Sequence, residues 1–176
     1  MIPGIDQVTP ELARLLTPRM NGYIAHSPMK IPAQAVFLLL NDIPEIIYGG
    51  AAGGGKSDAL LMAALQYVDI PGYAALLLRR TFQDLALPGA LMDRAHMWLD
   101  GLDVRWDEAE HTFEFPTGAK LAFGYLENLR DHFRYQSAEF QMIGFDELTQ
   151  FAELQYRYMF SRLRRLEGSD IPIRMR

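Results

Sequence analysis

Between Gly50 and Ser57 the chain reads G-x-x-x-x-G-K-S, with Gly53, Gly54 and Gly55 in a row before Lys56. An apolar run, Ile46-Ile47-Tyr48, precedes it, and Asp58 to Val68 behind it is rich in Ala, Leu and Met, good helix formers. Strand, glycine loop and helix in that order predict a phosphate-binding loop. Glycines let the backbone wrap closely around an anion, since no Cβ obstructs positive φ. The loop amides and the helix N-terminus then point at the phosphates. Gly50, Ala51, Ala52, Gly53, Gly54, Gly55, Lys56 and Ser57 are therefore the expected cradle for a nucleotide. Lys56 is expected to reach the β- and γ-phosphates, and Ser57 to place its hydroxyl on Mg²⁺. A turn that merely joins a strand to a helix needs neither Lys nor Ser at these offsets.

A second stretch complements the first. Phe140 to Phe145 is an apolar run that ends in Asp146-Glu147. An acid at a strand tip suits the hydrated Mg²⁺ of a nucleoside triphosphatase, and a second acid suits activation of the attacking water. Asp146 is the expected metal residue and Glu147 the expected base. Acids often end strands, so the pair gains its meaning from the complete loop upstream.

Composition closes off other chemistries. The 176 residues carry no cysteine, which removes disulfide frameworks, cysteine–zinc sites and thiol nucleophiles. A hydrophobic content of 49% with 22% charged residues fits one soluble globular domain. The net charge of −5 argues against a free-standing, high-affinity nucleic-acid binder. No secretory signal pattern opens the chain, and no apolar run is long enough to span a bilayer.

The remaining stretches predict elements around this pair. Thr9 to Leu16 suggests a short helix with Thr9 as N-cap, and another helix begins near Pro32. Gln34 in its first turn either reads an adenine edge with its amide or faces solvent. Tyr73 to Leu78 reads as a buried parallel strand that ends in Arg79-Arg80-Thr81. At that carboxyl end, Arg79 and Arg80 either sense phosphate, reach into a neighbour's site or face solvent. Helical segments follow over Thr81–Leu87 and Ala90–Leu99. Val104 to Trp106 suggests a short edge strand. His111–Phe115 and Lys120–Gly124 form an expected hairpin, with His111 as a surface residue. Phe151 to Leu166 reads as a helix stopped by Gly168, its aromatics packing in a core or interface. The late arginines, Arg157, Arg162, Arg164, Arg165, Arg174 and Arg176, suggest a solvated helix face or a contact with phosphate or a neighbouring subunit.

In this order the motifs resemble the N-terminal ATPase domain of the large terminase subunit, the DNA-packaging motor protein of tailed bacteriophages. The resemblance covers roughly residues 30 to 176. It rests on Ile31-Pro32-Ala33-Gln34, Tyr48 to Ser57, Leu76 to Thr81, Tyr135-Gln136-Ser137, Ile143 to Thr149 and Ser161-Arg162-Leu163-Arg164. It departs at Ala51 and Ala52, where many relatives carry a basic residue. It implies an α/β fold: a P-loop NTPase of the ASCE (RecA-like) type, with a mainly parallel central sheet flanked by helices and an inserted β-hairpin. Residues 1–30 become a leader, and 31–176 an ATPase domain that stops short of a coupling motif, lid and nuclease domain. The implied cofactors are ATP and Mg²⁺, with Gln34 in the adenine motif. An arginine that neutralises the transition state, in cis or from a neighbour, is sought among Arg79, Arg80, Arg162 and Arg164. The implied partners are double-stranded viral DNA, the portal protein and procapsid, the small terminase subunit, and identical subunits in a ring. This piece alone is expected to be a monomer and a poor ATPase. The implied location is the cytoplasm of an infected bacterial host, with no membrane partner. Two alternatives stay open: a RecA-like helicase or other ASCE ATPase, and a nucleotide-binding assembly module without turnover.

Overall fold

The computed structural model describes residues 17–28, 31–51 and 53–176. The expected helix at Thr9–Leu16 lies outside them. Within them a six-stranded mixed sheet is flanked by helices, an α/β architecture. Helix α1 (Pro32–Leu39) opens with proline in its first turn, where a missing N–H costs nothing. Helix α2 (Lys56–Leu65) leads to β1 (Ala74–Arg79), followed by the short helix α3 (Phe82–Ala86) and α4 (Leu91–Leu99). Thr81 caps α3, its hydroxyl accepting from Asp84 N at 3.1 Å. Strands β2 (Arg105–Asp107), β3 (Thr112–Glu114) and β4 (Lys120–Tyr125) come next, then β5 (Met142–Phe145), α5 (Glu153–Phe160) and β6 (Arg174–Met175). Short 3-10 turns cover Asp131–Tyr135 and Leu148–Gln150.

The strand order is β2-β3-β4-β1-β5-β6. Strands β4, β1, β5 and β6 run parallel, while β2 and β3 are antiparallel additions at one edge. The expected hairpin forms as β3 and β4, but it is no separate insertion. Its second strand is the parallel neighbour of β1. His111, expected at the surface, is half-buried and stacks on Phe82 with ring centres 4.7 Å apart. The segment expected as a strand before the loop pairs only at a single bridge, Glu45 with Met175 of β6.

Both faces of the sheet are covered, which explains the unbroken apolar run in β1. Ala75 and Leu77 pack with α2 and α4 residues on one face, while Leu76 and Leu78 pack with Ile143, Phe145 and Met159 on the other. Each fully buried leucine contributes about 1.5–3 kcal/mol. Helix α2 crosses β5 closely at Gly144, where a Cβ would lie 2.7 Å from Leu77 Cδ2 and 2.8 Å from Leu60 Cδ1. Helix α5 stops well before the expected Leu166. Residues 162–164 leave it to pair with the chain just ahead of β5, with Phe140 N donating to Arg162 O at 3.0 Å and Arg164 N to Phe140 O at 2.9 Å.

The clustered arginines do not share one solvated face. Arg174 and Arg176 lie on or just beyond β6 and are buried. Arg174 donates to Gln66 Oε1 at 2.8 Å, Asn41 Oδ1 at 3.0 Å and the Tyr73 hydroxyl at 3.0 Å. Arg176 donates to the carbonyls of Leu40 at 2.8 Å and Ile43 at 2.9 Å. Burial, assisted by neighbouring Arg174, pushes Arg176 down to about 10.

Candidate functional site

The carboxyl ends of β5 and β6 share a cavity with the glycine loop, at the edge where open α/β sheets bind ligands. Helix α2 starts at Lys56, earlier than its apolar stretch suggests, because Gly55 is a left-handed N-cap at φ 70°, ψ 22°. Lys56 and Ser57 therefore occupy the first turn, where free backbone N–H groups and the helix dipole favour an anion. Gly50 and Gly53 also take positive φ, 145° and 76°. The loop is tied from outside: the Tyr48 hydroxyl donates to Gly54 O at 3.2 Å, and Gln34 Nε2 donates to Gly55 O at 2.8 Å. Lys56 Nζ folds back onto two loop carbonyls, Ala51 O at 2.8 Å and Gly50 O at 3.1 Å. Among the described residues no carboxylate forms an ion pair with Lys56, so its charge is available to an anion. Ala52 lies outside the described residues.

Gly55 is required twice over. Its φ excludes most side chains, and a Cβ there would stand 2.4 Å from Gln34 Nε2. Gly55→Ala should therefore destabilise the fold by about 1–3 kcal/mol in chemical denaturation. Adding Gln34→Ala should recover part of the loss by removing the clash but not the strain. An unchanged denaturation midpoint for Gly55→Ala would contradict this loop geometry.

Asp146 follows β5 directly and is 7% exposed. Its Oδ1 accepts from Ser57 Oγ at 3.4 Å, which joins the loop to the acidic strand. Its Oδ2 lies 3.0 Å from Arg79 Nε. That contact is an ion pair without hydrogen-bond alignment, since Arg79 Nε has no hydrogen-bond partner. Burial raises the Asp146 pKa, Arg79 opposes the shift, and the adjacent Glu147 charge reinforces it. Glu147 is exposed and sits in the left-handed region at φ 57°, ψ 54°. A non-glycine residue held there stores about 1–3 kcal/mol, the kind of strain that gathers at working sites.

A cavity of about 300 Å³ opens between loop and acids, lined by Phe37, Tyr48, Lys56, Asp146, Glu147 and Tyr156 among others. Phe37 and Tyr48 stack with ring centres 5.3 Å apart. Sequence reasoning gave neither ring a role at the site. The apolar face of α1 and the position of Tyr48 beside the loop were the available signals. Arg176 also lines the cavity, and its place in an arginine-rich stretch concealed this.

The other expected site residues divide. Gln34 reaches the loop, but one of its amide donors is spent on Gly55 O, so it positions the loop. Arg80 Nη1 donates to Leu126 O, away from the acids. Arg162 donates to Gln136 O and lies over the Tyr158 ring at 5.4 Å. Its backbone and that of Arg164 flank Phe140, at the opposite end of β5 from Asp146 and roughly 20 Å away at strand rise. The structure therefore brings Arg79 to the site of its own chain, and leaves Arg162 and Arg164 outside it.

The residues present fit a phosphate chain with a divalent cation. The loop and Lys56 suit the phosphates. Among the described residues no three His, Asp or Glu side chains converge on a metal position. A cation here would take Ser57 and Asp146 from the protein and its remaining oxygens from phosphates and water, the habit of Mg²⁺. No family model, no curated protein and no solved structure matches the chain. Among the described residues no helix is long and apolar enough to cross a membrane.

Proposed function

We propose that this chain is an ATP hydrolase, the ATPase of a motor that drives viral double-stranded DNA into a procapsid. The observation that carries the hydrolase reading is the junction of loop and acids, with Ser57 Oγ 3.4 Å from Asp146 Oδ1. Strand order supports the ASCE type. Strand β6 stands between the segment entering the loop and β5, which carries the acids, and a glutamate follows β5.

Each residue then has a role in positioning and charge stabilisation. Lys56 leaves the carbonyls of Gly50 and Ala51 for the phosphates. Ser57 and Asp146 would hold Mg²⁺, which when bound would supply positive charge for the phosphate oxygens. Glu147, exposed at the cavity wall, orients a water and takes its proton. Of the arginines sought in the sequence for the transition state, Arg79 is the one beside Asp146 in cis, whereas Arg162 and Arg164 could serve only a neighbouring subunit.

The cargo is argued from the order of motifs, which resembles large terminase subunits. On that reading the partners are duplex DNA, a portal, a small subunit and identical copies in a ring, in the cytoplasm of an infected bacterium. Steady-state phosphate release combined with a strand-displacement assay tests the reading. The expected result is slow ATP hydrolysis above the Lys56→Ala background, with no strand displacement. Strand displacement would favour a helicase, and nucleotide binding without turnover would favour an assembly module.

A further inference from the structure

We propose that Arg79 is a resident counter-charge on Asp146: it occupies the place of the divalent cation and leaves when metal arrives. This rests on the phosphate-loop reading above and adds an order of events to it. Arg79 ends β1, and Asp146 follows β5, its parallel neighbour, with Leu78 opposite Phe145. Register thus sets the two side chains next to each other. Asp146 is nearly buried, and a buried carboxylate needs a cation or a proton. Both of its oxygens are engaged, Oδ2 by Arg79 at 3.0 Å and Oδ1 by Ser57 at 3.4 Å.

The two contacts differ in kind. The Ser57 hydroxyl and Asp146 would be the protein ligands of a nucleotide-borne Mg²⁺, so that contact joins the two candidate ligands. The Arg79 contact is held by charge alone, because Nε lacks a hydrogen-bond partner although it is buried. A cation attached by charge and not by a bidentate fork is one that a second cation can replace. Arg80 differs, since its guanidinium is fixed on Leu126 O. Metal binding to Asp146 therefore frees Arg79 and leaves Arg80 in place. The released guanidinium stays at the carboxyl end of β1, on the phosphate side of the sheet.

Removal of the Arg79 charge leaves Asp146 uncompensated until metal binds. Nucleotide binding should then depend more strongly on the divalent ion. The probe is N-methylanthraniloyl-ADP, titrated by fluorescence into the whole chain with Mg²⁺ and again with EDTA. For Arg79→Gln, affinity in EDTA should fall about tenfold, the size of one uncompensated negative charge near the phosphates. Affinity in Mg²⁺ should hardly change. Arg79→Lys should keep the wild-type ratio, and Arg80→Gln controls for loss of one positive charge nearby. Arg79→Met provides the same reading if the glutamine variant is unstable. Equal losses with and without Mg²⁺ would mark Arg79 as a fixed phosphate ligand and overturn the proposal. An unchanged ratio, or the same change in Arg80→Gln, would overturn it too. If wild-type chain fails to bind the probe even in Mg²⁺, the phosphate-loop reading itself falls. Normal wild-type binding with an unaltered ratio in Arg79→Gln sinks only the counter-charge.

Discussion

Replacing Glu147 by glutamine is expected to slow ATP hydrolysis by about two orders of magnitude or more while ATP stays bound. Glutamine keeps the length and hydrogen-bonding capacity of the side chain and loses its basicity. Glu147 is exposed at the cavity wall, directly after the buried Asp146. The 3-10 turn Leu148–Gln150 fixes its left-handed backbone: Glu147 is the N-cap of that turn, and its carbonyl accepts from Gln150 N at 3.0 Å. Single-turnover hydrolysis with protein in excess, alongside nucleotide affinity, checks the result. Asp146→Asn should separate from it, altering the Mg²⁺ dependence of binding as well as the rate. Wild-type turnover by Glu147→Gln would remove Glu147 from the chemistry.

Lys56→Ala should weaken Mg-ATP binding by about 1.5–3 kcal/mol or more, tenfold to beyond a hundredfold, the range of a hydrogen bond to a charged group. Alanine is the best helix former, so α2 should persist from its first residue. The nucleotide-free loop would lose the two contacts from Nζ to Gly50 O and Ala51 O, both exposed. The loss should therefore appear in affinity far more than in melting temperature. A fluorescent-nucleotide titration and a thermal melt on the same sample separate the two.

Local chemistry made much of the site legible. The loop, Lys56, Ser57, Asp146 and Glu147 come from short local patterns; in the structure Gly50, Lys56, Asp146 and Glu147 line one cavity, and Ser57 joins them through Asp146. Strands β1 and β5 were readable because a strand covered on both faces shows an unbroken apolar run. What escaped depends on pairing between distant residues. The hairpin was visible in the alternation of residues 111–124, but its seat beside β1 was not, since nothing local in β4 names that partner. Helix α5 looked longer because residues 161–166 suit a helix, and the distant Phe140 and Gln141 draw them away through bonds to Arg162 and Arg164. Arg174 belonged to a cluster that suggested a solvated face or a contact with phosphate or a neighbour, and its burial was hidden because its partners, Asn41, Gln66 and Tyr73, stand far off in sequence. Gln34 suggested either an adenine reader or a solvent residue, and its bond to Gly55 O was not visible because it depends on how α1 docks against the loop.

Calorimetric titration of Mg-ATP into the unsubstituted chain is the most direct test that Gly50–Ser57, Asp146 and Glu147 form one nucleotide site. One saturable site per chain is the predicted result. No saturable binding, or more than one equivalent site per chain, would contradict it.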